Sequence, residues 1–281
     1  MKKIGFIDYY ISEWHANQYP GWIEEISKEL GYDYKVCYGW AEIENSLTDN
    51  RSTDEWCKAY NVEKCETIEE ICAKSDYLII LSPSTPEKHL LYAKDAFKCG
   101  KRTYVDKTFA PSKEEAEKIY ALGEKYGTKF FSTSALRYAT EIYGGEKDVA
   151  ITTTGGGRAL EEYVIHQIEM IAVRMGMDVK RLKTVKTGEK DYEVYLEYTD
   201  GRTALMKYNP ANKFTMQRTN EKGEVSQTGI TSDFFKNLIK KILIFFETGE
   251  VDFNVKDTIK IMAVREKVID SMAKLNTWVE L

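Results

Sequence analysis

No run of apolar residues in this 281-residue chain approaches the roughly 20 that a membrane span needs, so no membrane-crossing helix is expected. Positive charge is in slight deficit. A net charge of −5 gives no electrostatic reason to expect nucleic acid or an anionic membrane as a partner. Cysteine is scarce and shows no pairing pattern. Cys37, Cys57, Cys65, Cys72 and Cys99 are odd in number and form no C-x-x-C. That argues against a disulfide or zinc framework, so no metal site is expected, and it fits a reducing cytoplasm. The opening MKKIGFIDYY lacks the apolar core and cleavage site of a secretory signal and reads as a strand. Repeats, low-complexity tracts and long linkers are missing as well. What is present is ordinary globular composition, 43% hydrophobic and 30% charged. The chain is long enough to bury a real core in two modest domains.

Lys3 to Asp8 reads as the first strand. A helix should follow from about Ser12 to Leu30, with Pro20-Gly21 predicting a break or restart in its middle. Tyr34 to Tyr38 is the second strand, and Asn50 to Tyr60 a loop plus a short helix. Ile68 to Lys74 is helical, Tyr77 to Leu81 a buried strand, and Pro86 to Cys99 a helix. Arg102 to Val105 is a short strand. Ser112 N-caps a helix reaching Tyr126, with Glu115 placed to complete a capping box, and Lys129 to Thr133 is another strand. This alternation predicts an α/β fold, a Rossmann-like doubly wound parallel sheet.

Beyond about Ala139 the pattern changes. Val149 to Thr154 is a β-branched strand, Ala159 to Met175 a helix, and four mostly alternating strands follow: Arg181–Thr187, Tyr192–Tyr198, Thr203–Tyr208 and Phe214–Arg218. Asp200-Gly201 marks a hairpin turn. Helices at Asp233–Thr248 and Lys256–Leu275 close the chain. The expected domains are therefore a dinucleotide-type domain over 1–138 and a smaller α+β domain with an antiparallel or mixed sheet over 139–281. The C-terminal helices are free to pack back on the first domain.

The stretch that organises the reading is Tyr104-Val105-Asp106-Lys107-Thr108-Phe109-Ala110. A lysine at the C-terminal end of a parallel strand points into the crevice where open α/β sheets bind ligands. Taken alone, Lys107 reads more simply as a solvated loop lysine. Its neighbours change the balance. The run from Pro86 to Gly127 resembles the signature of the glucose–fructose oxidoreductase/inositol dehydrogenase (Gfo/Idh/MocA) family. There a histidine opens a helix, an alanine-rich stretch leads to a glycine, and a strand ends in Glu-Lys-Pro. His89, Gly100 and Lys107 keep the family spacing, while Glu-Lys-Pro has become Asp106-Lys107-Thr108. The tail KVIDSMAKLNTWVEL resembles the family's closing helix and terminal Trp-Val strand.

The resemblance implies NAD or NADP as cofactor, and the first turn departs from it. Counting back from His15, the three glycine positions of G-x-G-x-x-G hold Asp8, Tyr10 and Glu13. None lets bare backbone approach a diphosphate, and two add negative charge where one would lie. The second strand ends at Trp40 without the acid that grips a ribose, Glu42 coming late. Two readings stay open. Either a dinucleotide is held further out, by backbone groups of Tyr10, Ile11 and Ser12, or the site has been lost. Ser82 to Thr85 lines the same crevice edge. Ser82 and Ser84 could hold a ribose or nicotinamide as the family's loop does, or be plain turn chemistry. Trp40, Asp106 and Lys107 complete the cofactor-side candidates. His15 and His89, near helix starts, read as framework residues that satisfy local backbone.

In EEYVIHQIEMIAVRMG, Glu162 and His166 stand four apart, on one helix face. They resemble the family's acidic-x-x-x-His helix, with Glu169 at a further acidic position. A packed core histidine is the plainer alternative. Arg137-Tyr138 resembles the family's substrate-cleft Arg-Phe/Tyr. The implied chemistry is hydride transfer with a sugar, polyol or related hydroxy compound. His166 would be acid/base, Lys107 would stabilise the reacting oxygen, and Glu162 would orient His166 or bind a neighbouring hydroxyl. A non-catalytic relative that binds a small ligand or acts as a regulator is the alternative. A lyase or isomerase working through Lys107 and His166 is a third. The glycine triplet Gly155–Gly157 lacks the Lys-Ser/Thr of a phosphate loop. A small-molecule substrate is the expected partner, and the alternating strand Tyr192–Leu196 leaves a face for self-association.

Overall fold

The computed structural model describes residues 1–281, which cluster into two compact units: Met1–Thr133 with Lys236–Val255, and Ser134–Phe235 with Lys256–Leu281. The first begins β1 (Lys2–Asp8), α1 (Trp14–Glu29), β2 (Tyr34–Ala41), α2 (Thr53–Tyr60), β3 (Glu63–Lys64) and α3 (Ile68–Lys74). It continues β4 (Tyr77–Ile80), α4 (Glu87–Ala96), a 3-10 turn (Phe97–Cys99), β5 (Thr103–Val105), α5 (Lys113–Tyr126) and β6 (Phe130–Phe131). The strand order is β3-β2-β1-β4-β5-β6, every pair parallel. That is the expected Rossmann-like sheet, with its order reversing between β1 and β4, where such sheets bind ligands.

Two local expectations need correction. Pro20 lies inside α1 without a break. One missing hydrogen bond and a ring clash cost about 3 kcal/mol in an isolated helix. The buried face of Tyr19, Ile23 and Ile26 outweighs that cost. Strand β2 also runs three residues past Tyr38, because β1 pairs with it as far as Asp8 against Ala41. Gly5 is required where α3 crosses β1: a Cβ there would stand 2.4 Å from Ser75 Oγ and 2.7 Å from Ile71. Ser112 caps α5 by accepting from Glu115 N at 3.2 Å. The reciprocal capping box forms at Ser52 and Glu55 of α2.

The second unit contains β7 (Asp148–Gly155), α6 (Leu160–Met175), β8 (Val179–Lys186), β9 (Tyr192–Tyr198), β10 (Thr203–Tyr208), β11 (Thr215–Asn220) and β12 (Val225–Gly229). After α7 (Phe234–Thr248) the chain returns to it as α8 (Asp257–Ser271) and β13 (Val279–Glu280). The sheet is mixed, in the order β12-β11-β7-β10-β9-β8-β13, with β7 and β10 parallel. β12 was not expected: VSQTG is mostly exposed and carries no apolar alternation to reveal it. The β9–β10 turn uses Gly201 at φ +86°, as Asp200-Gly201 predicts. The glycine triplet is a packing device. A Cβ on Gly156 would lie 2.4 Å from Asn209 O and 2.7 Å from Pro210 O, so only glycine lets that backbone pass.

From Lys236 onward α7 belongs to the first unit and closes its core. Phe246 stacks on Tyr77, centroids 4.7 Å apart, and Phe245 meets Phe131 edge-on at 5.0 Å. Arg102 donates to the terminal carbonyls of Phe246 and Glu247, satisfying part of the helix C-terminus. Burying two phenylalanines is worth about 1.5–3 kcal/mol each.

Candidate functional site

In the first unit, the C-terminal ends of four adjacent parallel strands bring Glu42, Asp8, Ser82 and Asp106-Lys107 to one edge of the sheet. Asp8 Oδ1 accepts from Tyr9 N at 2.7 Å, Ser82 N at 3.0 Å and Ser82 Oγ at 3.1 Å. Its second oxygen, Oδ2, is buried with no partner. Burial, then the charge of Glu13, pushes the Asp8 carboxyl well above the usual range. Ser82 takes a left-handed backbone, φ +65°, that turns its N–H and hydroxyl back onto Asp8.

Glu13 is the N-cap of α1. Its carboxylate accepts from Ala16 N at 2.6 Å and His15 N at 2.9 Å. These are the amides that a helix N-terminus would offer to a phosphate. Burial raises the Glu13 carboxyl despite both bonds. His15, expected to satisfy local backbone, instead meets Asp106 through Nδ1 and stacks on Tyr19. Asp106 also accepts from Lys107 N at 2.8 Å and Tyr104 OH at 3.3 Å. Burial acts to raise Asp106, but His15 and Lys107 outweigh it and hold the carboxyl low. Lys107 is 9% exposed, its Nζ 3.5 Å from Pro83 O, and its peptide bond to Thr108 is cis. His89 does bond backbone, at Phe109 O and Leu81 O, tying the ends of β4 and β5 together.

The remaining cofactor-side candidates sit as follows. Ser12 is fully buried and donates to Asp49 Oδ2 at 2.8 Å, while its carbonyl accepts from Ser46 and Thr48 hydroxyls. Ile11 is buried against Gly39, and Tyr10 is half-buried beside Tyr9. Trp40 donates to Glu66 O at 3.2 Å and meets Tyr92 edge-on. Ser84 is exposed. The longer β2 places Glu42 directly after the strand, where it accepts from Tyr92 OH at 2.7 Å and Lys88 Nζ at 2.5 Å.

In the second unit, α6 faces the 3-10 turn Ala135–Tyr138. His166 Nδ1 lies 2.6 Å from Ser134 Oγ, between the rings of Tyr163 and Phe214. Ser134 N donates to Glu169 Oε1 at 3.2 Å, and Arg137 Nε to Glu169 Oε2 at 2.7 Å. Burial lowers the Arg137 guanidinium, but Glu169 outweighs it and keeps the group charged. Ser134, Arg137, His166 and Glu169 are all buried, as is Tyr138. Glu162, expected to orient the histidine, is gripped by Arg158, Nη2 to Oε1 2.5 Å and Nε to Oε2 3.1 Å. Sequence reasoning missed Ser134. Its only signal is a small hydroxyl residue N-capping the Ala135–Tyr138 turn. The His15–Asp106 contact spans 91 positions and has no local signal.

Residues 42–134 match the sequence model of GFO_IDH_MocA, described as an oxidoreductase family with an NAD-binding Rossmann fold. No curated protein matches the sequence. Among solved structures, apo scyllo-inositol dehydrogenase from Lactobacillus casei is similar at TM-score 0.73 and 14% identity, over 99% of this chain and 98% of that one. UDP-N-acetylglucosamine 3-dehydrogenase GnnA from Acidithiobacillus ferrooxidans is similar at TM-score 0.75 and 11% identity, over 96% and 97%. GenD2 from gentamicin A biosynthesis, solved in complex with NAD, gives TM-score 0.73 and 12% identity over 100% and 97%. At such identities the structures speak for the fold, and the matched segment carries the family signature. Residues 42–134 are thus similar to the Gfo/Idh/MocA oxidoreductase family, and the fold of these dehydrogenases extends along the whole chain.

Proposed function

We propose that this chain is an NAD(P)-dependent oxidoreductase acting on a sugar, polyol or related hydroxy compound. The observation that carries the reading is the pairing of His166 on α6 with Ser134 at the head of the Ala135–Tyr138 turn, together with the family signature around Lys107. A neutral imidazole held by its Nδ1 is suited to exchange a hydroxyl proton near neutral pH. His166 is the acid/base, and Ser134 and the Glu169–Arg137 pair position it. The Lys107 ammonium stabilises negative charge developing on the reacting oxygen. Arg137, bonded to Glu169, serves as a brace, and Tyr138 lies beside it in the same buried turn. Glu162, held by Arg158 one turn earlier, would bind a neighbouring substrate hydroxyl.

The residues present offer a dinucleotide candidate partners at the ends of the crevice and an obstacle in its middle. Glu42, directly after β2 and bonded to Tyr92 and Lys88, would serve as the ribose-gripping acid, and Ser84 and Lys107 would face the ring. The diphosphate would need the α1 amides that Glu13 occupies, next to the buried Asp8 carboxyl. No chemical step is therefore routed through it. Glu13 favours a second reading: a relative that has given up dinucleotide binding and holds a small ligand instead.

One titration separates the two. NAD, NADH, NADP and NADPH are added to the purified protein in a calorimeter. Micromolar binding of any of them supports the oxidoreductase, and a screen of sugars and polyols then supplies the substrate. Lys107→Met and His166→Ala are expected to lower turnover about 10²–10⁴-fold, and unchanged turnover would remove their roles. Absence of binding for all four at millimolar concentration sinks the first reading in favour of the second.

A further inference from the structure

Two of the five cysteines lie together. Cys72 is on α3, and Cys99 ends the 3-10 turn after α4. Both thiols reach the same carbonyl, Ala96 O, Cys99 Sγ at 2.9 Å and Cys72 Sγ at 3.9 Å. Lys101 brings its ammonium to the same corner, bonding the carbonyls of Cys72 and Ser75. Cys99 is partly exposed and Cys72 is buried. An accessible thiol backed by a buried one beside a fixed cation is the arrangement of an attacking and a resolving cysteine.

We propose that Cys72 and Cys99 form a peroxide-sensitive dithiol, a modification site that closes to a disulfide linking α3 to the turn before β5. The Cys99 thiolate attacks a peroxide oxygen, breaking the O–O bond and releasing hydroxide, and becomes a sulfenic acid. The Cys72 thiol then attacks the Cys99 sulfur, forming the S–S bond and expelling water. Two thiols and one peroxide thus give one disulfide and two waters. Cys72, and then the Lys101 amide and ammonium, pull the Cys99 thiol down to about 6, while Cys72 is pushed up. The other cysteines are poor competitors. Burial pushes Cys57 up to about 12 and Cys65 up to about 11, and it also raises Cys37.

The test uses the full chain, treated near neutral pH with a small excess of hydrogen peroxide, denatured, alkylated with iodoacetamide and digested. Mass spectrometry should find the Cys72 and Cys99 peptides joined, with a mass two hydrogens below their sum. Alkylation should be confined to Cys37, Cys57 and Cys65, and dithiothreitol should reverse the link. In Cys72→Ser, a dimedone adduct should appear on Cys99 and no disulfide should form. In Cys99→Ser, Cys72 should remain fully alkylated after peroxide. The proposal is overturned if the two peptides stay unlinked in the wild-type chain, if Cys99 goes to sulfinic acid without closing, or if another cysteine oxidises as fast.

Discussion

Glu13→Gly is the perturbation with the most to say, because the carboxylate at the head of α1 occupies the amides that a helix N-terminus would offer to an anion. Its two bonds to the amides of His15 and Ala16, 2.9 and 2.6 Å long, are charge-assisted, each worth about 1.5–3 kcal/mol when made. Burial of the same carboxylate opposes them, as its raised titration shows. Backbone strain does not enter, since Glu13 has φ −134° and ψ 172°, open to any residue. The net loss in anion-free buffer should be only a few tenths of a kcal/mol, because glycine is itself a tolerated N-cap. For a domain of this size that lowers Tm by roughly 1–2 °C. Sodium pyrophosphate should then restore stability to the variant and not to the wild type. Occupancy at one hundred times Kd is worth about 2.7 kcal/mol. The assay is thermal unfolding at constant ionic strength, with and without pyrophosphate, on both proteins. Equal stabilisation of the wild type would refute the idea that Glu13 fills the anion site. So would a variant blind to pyrophosphate.

Two further outcomes follow from the buried charges. Asp8 is held well above its ordinary value by burial and then by Glu13, so the folded chain keeps a proton that the unfolded chain has released. Its contribution to stability therefore falls as pH rises from the ordinary carboxylate range through the raised value. Asp106, held low, runs the other way, its contribution being lost as pH falls. The Tm of Asp8→Asn minus that of wild type should accordingly grow between about pH 4 and pH 8, and a constant difference would contradict the assignment. Arg137→Met strands Glu169 in a buried site and should cost about 3–5 kcal/mol in denaturant unfolding. Adding Glu169→Leu should recover most of that loss. Strict additivity of the two changes would show that they are not coupled.

The alternation of apolar strands with capped helices made the first sheet legible, down to helix limits such as Ile68–Lys74, because each element there satisfies its own local rules. Pro20 misled because burial of a whole helix face outweighs one lost hydrogen bond, and a sequence window does not see burial. Glu42 looked displaced for a similar reason, since the length of β2 is set by pairing with β1 and not by its own residues. At the candidate site, Lys107 and His166 stood out by spacing within a recognisable signature. Their companions did not. Ser134 meets His166 from 32 positions away and Asp106 meets His15 from 91, contacts that only the fold creates. Glu162 shows the converse: helical spacing placed it one turn from His166, yet Arg158, also one turn away, takes its carboxylate.

The first unit is interrupted in sequence, and this bears on how the chain is made. Residues 1–133 lay down all six parallel strands, but the aromatic lid of Phe245 and Phe246 over Tyr77 and Phe131 arrives only with α7. About a hundred residues separate the two pieces. At about 5–20 residues per second, a ribosome takes several seconds or more to supply the missing helix. Throughout that interval the sheet emerges with one flank of rings open to water. The entire second unit except α8 and β13 is synthesised meanwhile, so the nascent N-terminal half is the part with most reason to engage a chaperone.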